Sequence, residues 1–285
     1  MITKKLPVSV GIIAAAIMSS CDFNEDFCIR PGELIAYCDF SNIMENPPLP
    51  TQRKVIPFQN NAAVSEGTSF TQDTLRWSIP QGEYNFLFYT GEYKVENLNN
   101  YHEYKLTVNT DTIDGLVYVS ERQKYCCSAI FAEKLEYQKP KTVRIQPWNF
   151  VQKINFKLNI TGNTSPVSDI SYDLSGISTS KYLNSLECSG SAIVSEQFIR
   201  SNDTYNSSIY VFGCTSSETN ILSVKVKMDE DNEVFNEVQH IDLSSVLKSF
   251  DGDEITLELD LHIGKELILK GINIKEWEDC PETEL

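Results

Sequence analysis

Residues 150 to 161 of the chain read Phe150-Val151-Gln152-Lys153-Ile154-Asn155-Phe156-Lys157-Leu158-Asn159-Ile160-Thr161. Every second residue from Ile154 to Ile160 is large and apolar, and the residues between them are polar. Phe150 continues the apolar row, and Gln152 alone interrupts it. A period of two residues is typical of a β-strand that has one buried face and one face in water. The stretch therefore predicts a half-buried strand.

The same alternation continues in the second half of the chain, at residues 222–228 and 255–263. Weaker alternation, punctuated by turn residues, predicts further strands at residues 34–40, 53–58, 84–89, 116–120, 130–137, 142–146, 170–174, 208–212 and 267–275. Helix is scarce, with two short candidates at residues 180–186 and 242–250. Short strands at this spacing are typical of antiparallel β-sandwiches. The sequence therefore predicts an all-β protein.

The length and the change of pattern along the chain predict two domains. The chain has 285 residues, enough for one large domain or two ordinary ones. Strands with loose loops give way to the strongly alternating second half near Pro147-Trp148. We therefore expect an N-terminal domain at residues 31–148 and a C-terminal domain at residues 149–285.

The first 20 residues predict a secretory signal peptide. Lys4 and Lys5 give a positive start, and an apolar run extends from residue 8 to residue 18. This run is shorter than the ~20 residues that a transmembrane helix needs. Small Ser19 and Ser20 lead directly into Cys21, which resembles the lipobox of bacterial lipoproteins. The resemblance implies removal of residues 1–20 and lipidation of Cys21, with simple secretion as the alternative.

An acidic segment at residues 21–30 follows the expected cleavage point. Its residues Asp22, Glu25 and Asp26 resemble the signal that exports lipoproteins to the cell surface in bacteria of the Bacteroides type, with a solvated tether as the alternative. The chain has 24 basic and 40 acidic residues, for a formal net charge of −16. This charge argues against nucleic acid or an anionic lipid surface as a partner. We expect an outer-membrane protein that is held by a lipid on Cys21 and faces the cell surface.

Seven cysteines remain besides Cys21, namely Cys28, Cys38, Cys126, Cys127, Cys188, Cys214 and Cys280. None has the C-x-x-C spacing of a zinc or redox site, and adjacent Cys126 and Cys127 are poorly placed to bridge each other. Export permits disulfides. The cysteines could therefore form some disulfides or remain as buried free thiols, and the sequence favours neither alternative.

Residues suited to catalysis or metal binding form no recognisable constellation in the sequence. The chain has three histidines, which are His102, His240 and His262. They are far apart and lack the H-E-x-x-H spacing of a zinc protease. Two S-x-x-K matches begin at Ser178 and Ser245, but the K-T-G element that completes such a site is absent. The acidic run at residues 229–233 lacks the central Gly and closing Glu of a calcium-binding EF-hand loop, which favours a charged hairpin tip. We expect no catalytic activity, no metal site and no cofactor.

Four motifs, taken in order, resemble the fimbrillin superfamily of type V pili. They are Ile79-Pro80-Gln81-Gly82-Glu83-Tyr84-Asn85-Phe86, Val151-Gln152-Lys153-Ile154-Asn155-Phe156, Tyr172-Asp173-Leu174-Ser175-Gly176 and Ile272-Asn273-Ile274-Lys275-Glu276-Trp277. With the lipobox before them, the resemblance spans most of residues 31–277. It implies two transthyretin-like Greek-key β-sandwich domains in tandem.

In that family, pilus subunits and anchors are exported as lipoproteins. Polymerising subunits lose an N-terminal strand to an arginine-specific protease, and the groove so opened takes a partner's strand. Here Arg30 precedes the predicted strand 34–40, and Arg53 follows the next turn, so either is a candidate cut site. Neither lies in a recognisable processing motif. The resemblance therefore implies a non-catalytic pilus anchor or accessory, adhesive subunit, with other fimbrillin-like subunits as partners, and a surface glycan-binding lipoprotein is the alternative.

Overall fold

The computed structural model describes residues 30–43, 50–97, 99–162, 167–202, 204–230, 233–263 and 267–276. The first part of the chain forms strands β1 (Pro31–Cys38), β2 (Arg53–Gln59), β3 (Ala62–Ala63), β4 (Thr68–Phe70), β5 (Thr74–Pro80), β6 (Gly82–Thr90), β7 (Lys94–Glu96), β8 (Lys105–Thr107), β9 (Thr110–Ile113), β10 (Leu116–Val119), β11 (Cys127–Leu135), β12 (Lys141–Ile145) and β13 (Trp148–Asn149). The second part forms β14 (Gln152–Gly162), β15 (Val167–Ile177), β16 (Ser180–Tyr182), β17 (Cys188–Ser189), β18 (Ala192–Gln197), β19 (Ile199–Ser201), β20 (Thr204–Val211), β21 (Ile221–Glu230), β22 (Glu233–Asp242), the short helix α1 (Ser244–Leu247), β23 (Glu254–Ile263) and β24 (Leu267–Glu276).

The first core lies between a three-stranded sheet, β12-β1-β5, and a larger sheet, β13-β11-β6-β2-β3, in which β4 also pairs with β2. Strand β6 is central, because it pairs with β2 on one side and β11 on the other. Its run Phe86-Leu87-Phe88-Tyr89 is buried on both faces. A continuous apolar run of this kind is expected for a strand that is covered on both sides.

The second core lies between the sheets β22-β21-β15-β18-β10-β9 and β19-β20-β14-β23-β24. The inward faces predicted from the alternation are confirmed, since Phe156, Val224 and Leu259 are all buried. Ile160 and Met228, near the strand ends, are only partly buried. Most strand pairs are antiparallel, but β14 runs parallel to β23 along its whole length.

The two cores exchange elements. The hairpin β9-β10 joins a sheet of the second core, where Tyr118 pairs with Ile193 of β18. In return, β16 pairs with β8 and so extends the sheet β17-β16-β8-β7. The buried side chains of the first core end at Val151, apart from Leu183 and Phe212, and those of the second begin at Ile154. The domain limits near Pro147-Trp148 stay a prediction.

The predicted all-β sandwich class is confirmed, and one helix prediction is wrong. Residues 180–182 form β16, because their backbone pairs with β8 and β17 on either side. The helix expected at residues 242–250 is a single turn, α1. Within the described part of the chain, no helix is long and apolar enough to cross a membrane.

Candidate functional site

The candidate site is built around β1, which is the middle strand of its sheet. Residues 31–37 pair antiparallel with β5, and residues 34–38 pair parallel with β12. Leu34 and Ala36 point into the first core and are fully buried. The outer face of the strand is more open, since Ile35 is half-buried and Tyr37 is 45% exposed. Both backbone edges of β1 are therefore occupied within the chain.

A close approach between the two sheets fixes the start of β1. A Cβ atom added at Gly32 would lie 2.7 Å from the Cβ of Leu135 on β11. Carbon atoms cannot approach this closely without a shift of backbone or side chain, so only glycine fits here. Gly32 also pairs in an antiparallel bridge with Tyr137, just beyond β11.

The two candidate cut sites have opposite environments. Arg30 is exposed, and its guanidinium carbon lies 5.8 Å from the ring centroid of Tyr137. Arg53 begins β2 and pairs with Phe70 of β4 on one side and with Thr90 of β6 on the other.

The side chain of Arg53 is only 8% exposed. Its Nη2 lies 2.8 Å from Asp73 Oδ1, and its Nη1 donates to the carbonyl of Thr71 at 3.3 Å. The guanidinium also lies 4.9 Å from the ring centroid of Phe40. A protease needs an extended, accessible peptide, so the bond after Arg53 is protected in the folded chain.

The sequence between these two arginines offers no other cut site for an arginine-specific protease. No Lys or Arg occurs from residue 31 to residue 52, so Arg53 is the first basic residue after β1. A cut after Arg30 leaves β1 in the mature chain. Of the two candidate cut sites, only the protected Arg53 therefore lies where a cut would separate β1 from the rest.

Burial keeps the thiols nearest this site, those of Cys38, Cys126 and Cys127, in the neutral form. Among the described residues, Cys38, Cys126, Cys127, Cys188 and Cys214 form no disulfide. Burial raises the pKa of Cys38 to about 12 and that of Cys127 to about 11, with nearby Arg53 opposing part of the shift. Burial also raises the pKa of Cys126 well above its ordinary value. Such thiols are poor nucleophiles, which favours a packing role. Cys21, Cys28 and Cys280 lie outside the described residues.

The structure does not bring the residues of the weak catalytic motifs together. Lys181 Nζ donates to the carbonyl of Phe150 at 2.9 Å, and Lys248 Nζ donates to that of Ser216 at 3.0 Å. Neither lysine is hydrogen-bonded to the serine of its S-x-x-K match, and the hydroxyl of Ser178 is buried without a partner. Nothing in these contacts would activate a serine.

The histidines have ordinary surface contacts. The ring Nδ1 of each histidine lies within 3.1 Å of one polar neighbour, namely Asn184 for His102, Ser223 for His240 and Thr161 for His262. No group of three metal-ligating side chains occurs among the residues that the structure covers. Strands β21 and β22 form the predicted hairpin, with Glu230 opposite Glu233.

A cleft that the sequence did not indicate opens beside the start of β1. Its volume is about 400 Å³, and Trp77 and Tyr137 line it together with Glu33, Arg76 and Gln138. Trp77 was missed because β5 was not predicted, although Leu75, Trp77 and Ile79 alternate with polar residues. Tyr137 was assigned to the end of a strand, whereas it starts the turn between β11 and β12.

Solved structures share this fold over most of the chain. A candidate adhesin from Bacteroides ovatus has 13% identity and a TM-score of 0.57, with 85% of this chain and 95% of that chain covered. The fimbrial anchor protein Mfa2 from Porphyromonas gingivalis has 14% identity and a TM-score of 0.54, with coverages of 87% and 98%. A candidate polysaccharide-binding protein from Bacteroides thetaiotaomicron has 8% identity and a TM-score of 0.55, with coverages of 87% and 99%.

No family model and no curated protein sequence matches the chain. Identities this low establish a common fold and nothing more. The chain therefore has the fold of fimbrial anchor and adhesin-like surface proteins, and the predicted resemblance is confirmed at the level of the fold. What the chain does has to be argued from its own residues.

Proposed function

We propose that the chain is a non-catalytic fimbrillin-like surface lipoprotein that acts as a pilus anchor or accessory, adhesive subunit and keeps its first strand. The observation that carries this proposal is the position of β1 between β5 and β12. In a polymerising subunit the first strand must leave before a partner's strand can enter. Here both edges of β1 are paired, and the Arg53 bond whose cleavage would free it is protected.

Attachment to the membrane is the second part of the proposal. A lipid on Cys21 would hold the chain at the outer membrane, facing the cell surface, with other fimbrillin-like subunits as partners. The small residues before Cys21 and the acidic residues after it support this location. The shared fold with a fimbrial anchor protein supports the choice of partners.

The lipid is tested by Cys21→Ala, with Cys28→Ala as the matched control. Both substitutions remove a thiol from the same segment, but only Cys21 follows the small residues that resemble a lipobox. We expect Cys21→Ala to leave the membrane fraction and Cys28→Ala to remain in it. Membrane retention of Cys21→Ala would contradict the lipid anchor.

Retention of β1 is tested by treating the folded chain with an arginine-specific protease and sizing the product. We expect a cut after Arg30 that is abolished in Arg30→Gln, and a monomer that still contains residues 31–53 by mass. Arg53→Gln is the control and should leave this pattern unchanged. Protease-dependent ladders that survive mild detergent would contradict the proposal and indicate a polymerising subunit.

A further inference from the structure

The cleft beside β1 combines features that suit a saccharide. Tyr137 is 43% exposed, whereas the side chain of Trp77 packs against the first core, on the face of β5 opposite Arg76. Both residues border a space of about 400 Å³, which falls within the size range of small-ligand sites. Aromatic side chains that are anchored on one side present flat apolar surface at little entropic cost.

The ring of Tyr137 is already positioned. Tyr137 starts the turn between β11 and β12, where Gln138 has a left-handed φ of 57°. The guanidinium of Arg30 lies 5.8 Å from its centroid, and Gly32 pairs with its backbone. Strained backbone and pre-ordered side chains are common at ligand sites, because less freedom is lost on binding.

The polar lining offers donors and acceptors side by side. Arg76 Nη1 lies 3.7 Å from Glu33 Oε1, and both side chains remain accessible, at 69% and 40% exposure. A guanidinium donates hydrogen bonds and a carboxylate accepts them. Adjacent hydroxyl groups of a sugar ring each donate and accept, so such a pair can hold two of them at once. Ser78 and Gln138 add an exposed hydroxyl and an amide.

We infer that this cleft binds one or two neutral pyranose rings of a saccharide, with the C–H face of a ring against Tyr137 and its hydroxyls on Arg76 and Glu33. This site does not depend on the proposed pilus role.

The charge of the cleft lining and of the whole chain favours a neutral sugar over an acidic one. The two cations of the lining are already paired, because Arg76 faces Glu33 and Lys139 Nζ lies 2.5 Å from Glu136 Oε2. The whole chain carries a formal charge of −16. A net negative protein repels anionic ligands, and no unpaired cation in the lining compensates. Sialic and uronic acids should therefore bind more weakly than neutral sugars.

The test is saturation-transfer NMR and calorimetry on the full chain with defined saccharides. One arm contains N-acetylglucosamine, N-acetylgalactosamine and N-acetyllactosamine. The second contains methyl glycosides of glucose, galactose and mannose and the corresponding disaccharides. The third contains N-acetylneuraminic acid and glucuronic acid. The first two arms separate amino-sugar glycans from plain hexose glycans, and the third tests the charge argument.

Variants then locate the site. Tyr137→Ala and Arg76→Gln remove an exposed ring and an exposed guanidinium, so neither should unfold the chain. Each should weaken binding about tenfold, the effect of losing an aromatic or arginine anchor. Tyr37→Ala is the matched control, because Tyr37 is a tyrosine on β1 that is 45% exposed but does not line the cleft. It should bind as the parent does.

Three results would overturn the inference. The first is no transfer from any neutral sugar. The second is tighter binding of the acidic arm than of the neutral ones. The third is binding that Tyr137→Ala leaves unchanged or that Tyr37→Ala weakens equally.

Discussion

The inner face of β1 should hold the strand in place, and the neighbouring pair Leu34→Ala and Ile35→Ala tests this. Leu34 is fully buried, whereas Ile35 lies on the opposite face and is half-buried. The two substitutions remove the same number of carbon atoms from adjacent positions of one strand. Any difference between them therefore reports the burial of the side chain.

The expected difference is large. Truncating a fully buried Leu to Ala costs about 2–5 kcal/mol of unfolding free energy, out of about 5–15 kcal/mol for a whole domain. For Ile35 we expect about 1 kcal/mol, because part of its side chain already contacts water. In a domain of roughly 100 residues each kcal/mol lowers the melting temperature by about 4 °C or more. Leu34→Ala should therefore lower it by about 10 °C or more, and Ile35→Ala by about 4 °C.

Calorimetry measures these shifts, and proteolysis connects them to β1. Cutting at Arg53 requires local opening, so its rate follows the population of the open state when opening is fast. Leu34→Ala should accelerate the cut after Arg53 by about tenfold or more, and Ile35→Ala by about fivefold or less. Equal melting shifts in the two variants, or unchanged cutting at Arg53 in Leu34→Ala, would refute the reasoning.

Three further predictions concern the two cores. Phe156→Ala removes a buried ring and should cost about 3–5 kcal/mol, whereas Lys157→Ala loses a partly exposed ion pair and should cost about 1 kcal/mol or less; equal melting shifts would refute the face assignment. Gly32→Ala forces a Cβ against Leu135 and should destabilise the chain by about 1–3 kcal/mol in urea unfolding, so an unchanged midpoint would contradict that close approach. Burial raises the pKa of Cys127 from 9.0 to about 11, so its neutral thiol stabilises the fold below pH 9 and this contribution is lost as the pH rises towards 11. Cys127→Ala should therefore show a shallower loss of stability over that range, and an equally steep loss would contradict the assignment.

Strands with a clean alternation could be predicted from the sequence, and strands whose faces are mixed could not. Strands β14, β21 and β23 bury every second residue, so their pattern alone identifies them. Strand β22 was predicted only indirectly, as the second arm of a hairpin, because it is an edge strand and Val238 is exposed on it, which hides the period. Strand β5 is a different case, because its alternating apolar row is present in the sequence.

The exchange of elements between the cores could not be read from a local pattern. Residues 180–182 favour a helix locally, but they pair with β8, more than 70 residues earlier in the chain. Pairing over such a separation depends on tertiary structure, which overrides weak local preference. The same limit applies to the cleft, where Trp77 and Tyr137 border one space only because β5 and the turn after β11 flank the start of β1.

The direction of β1 determines how the chain would meet a membrane. Pro31 pairs with Pro80, at the end of the first core where Gly82 faces Leu135. The second core adjoins the opposite end, since Cys127 pairs with Asn149 there. The chain therefore enters the fold at the end that lies away from the second core.

A lipid on Cys21 would therefore orient the fold relative to the membrane. The nine residue steps from Cys21 to Arg30 span at most about 30 Å. The lipid would hold the Tyr137 cleft within that distance of the bilayer and leave the second core pointing outward. The cleft would then meet saccharides at the base of the cell's own surface, whereas a chain without the lipid would meet free ones. Lipidation of Cys21 would thus decide which saccharides can reach the cleft, even though it would not change the cleft's chemistry.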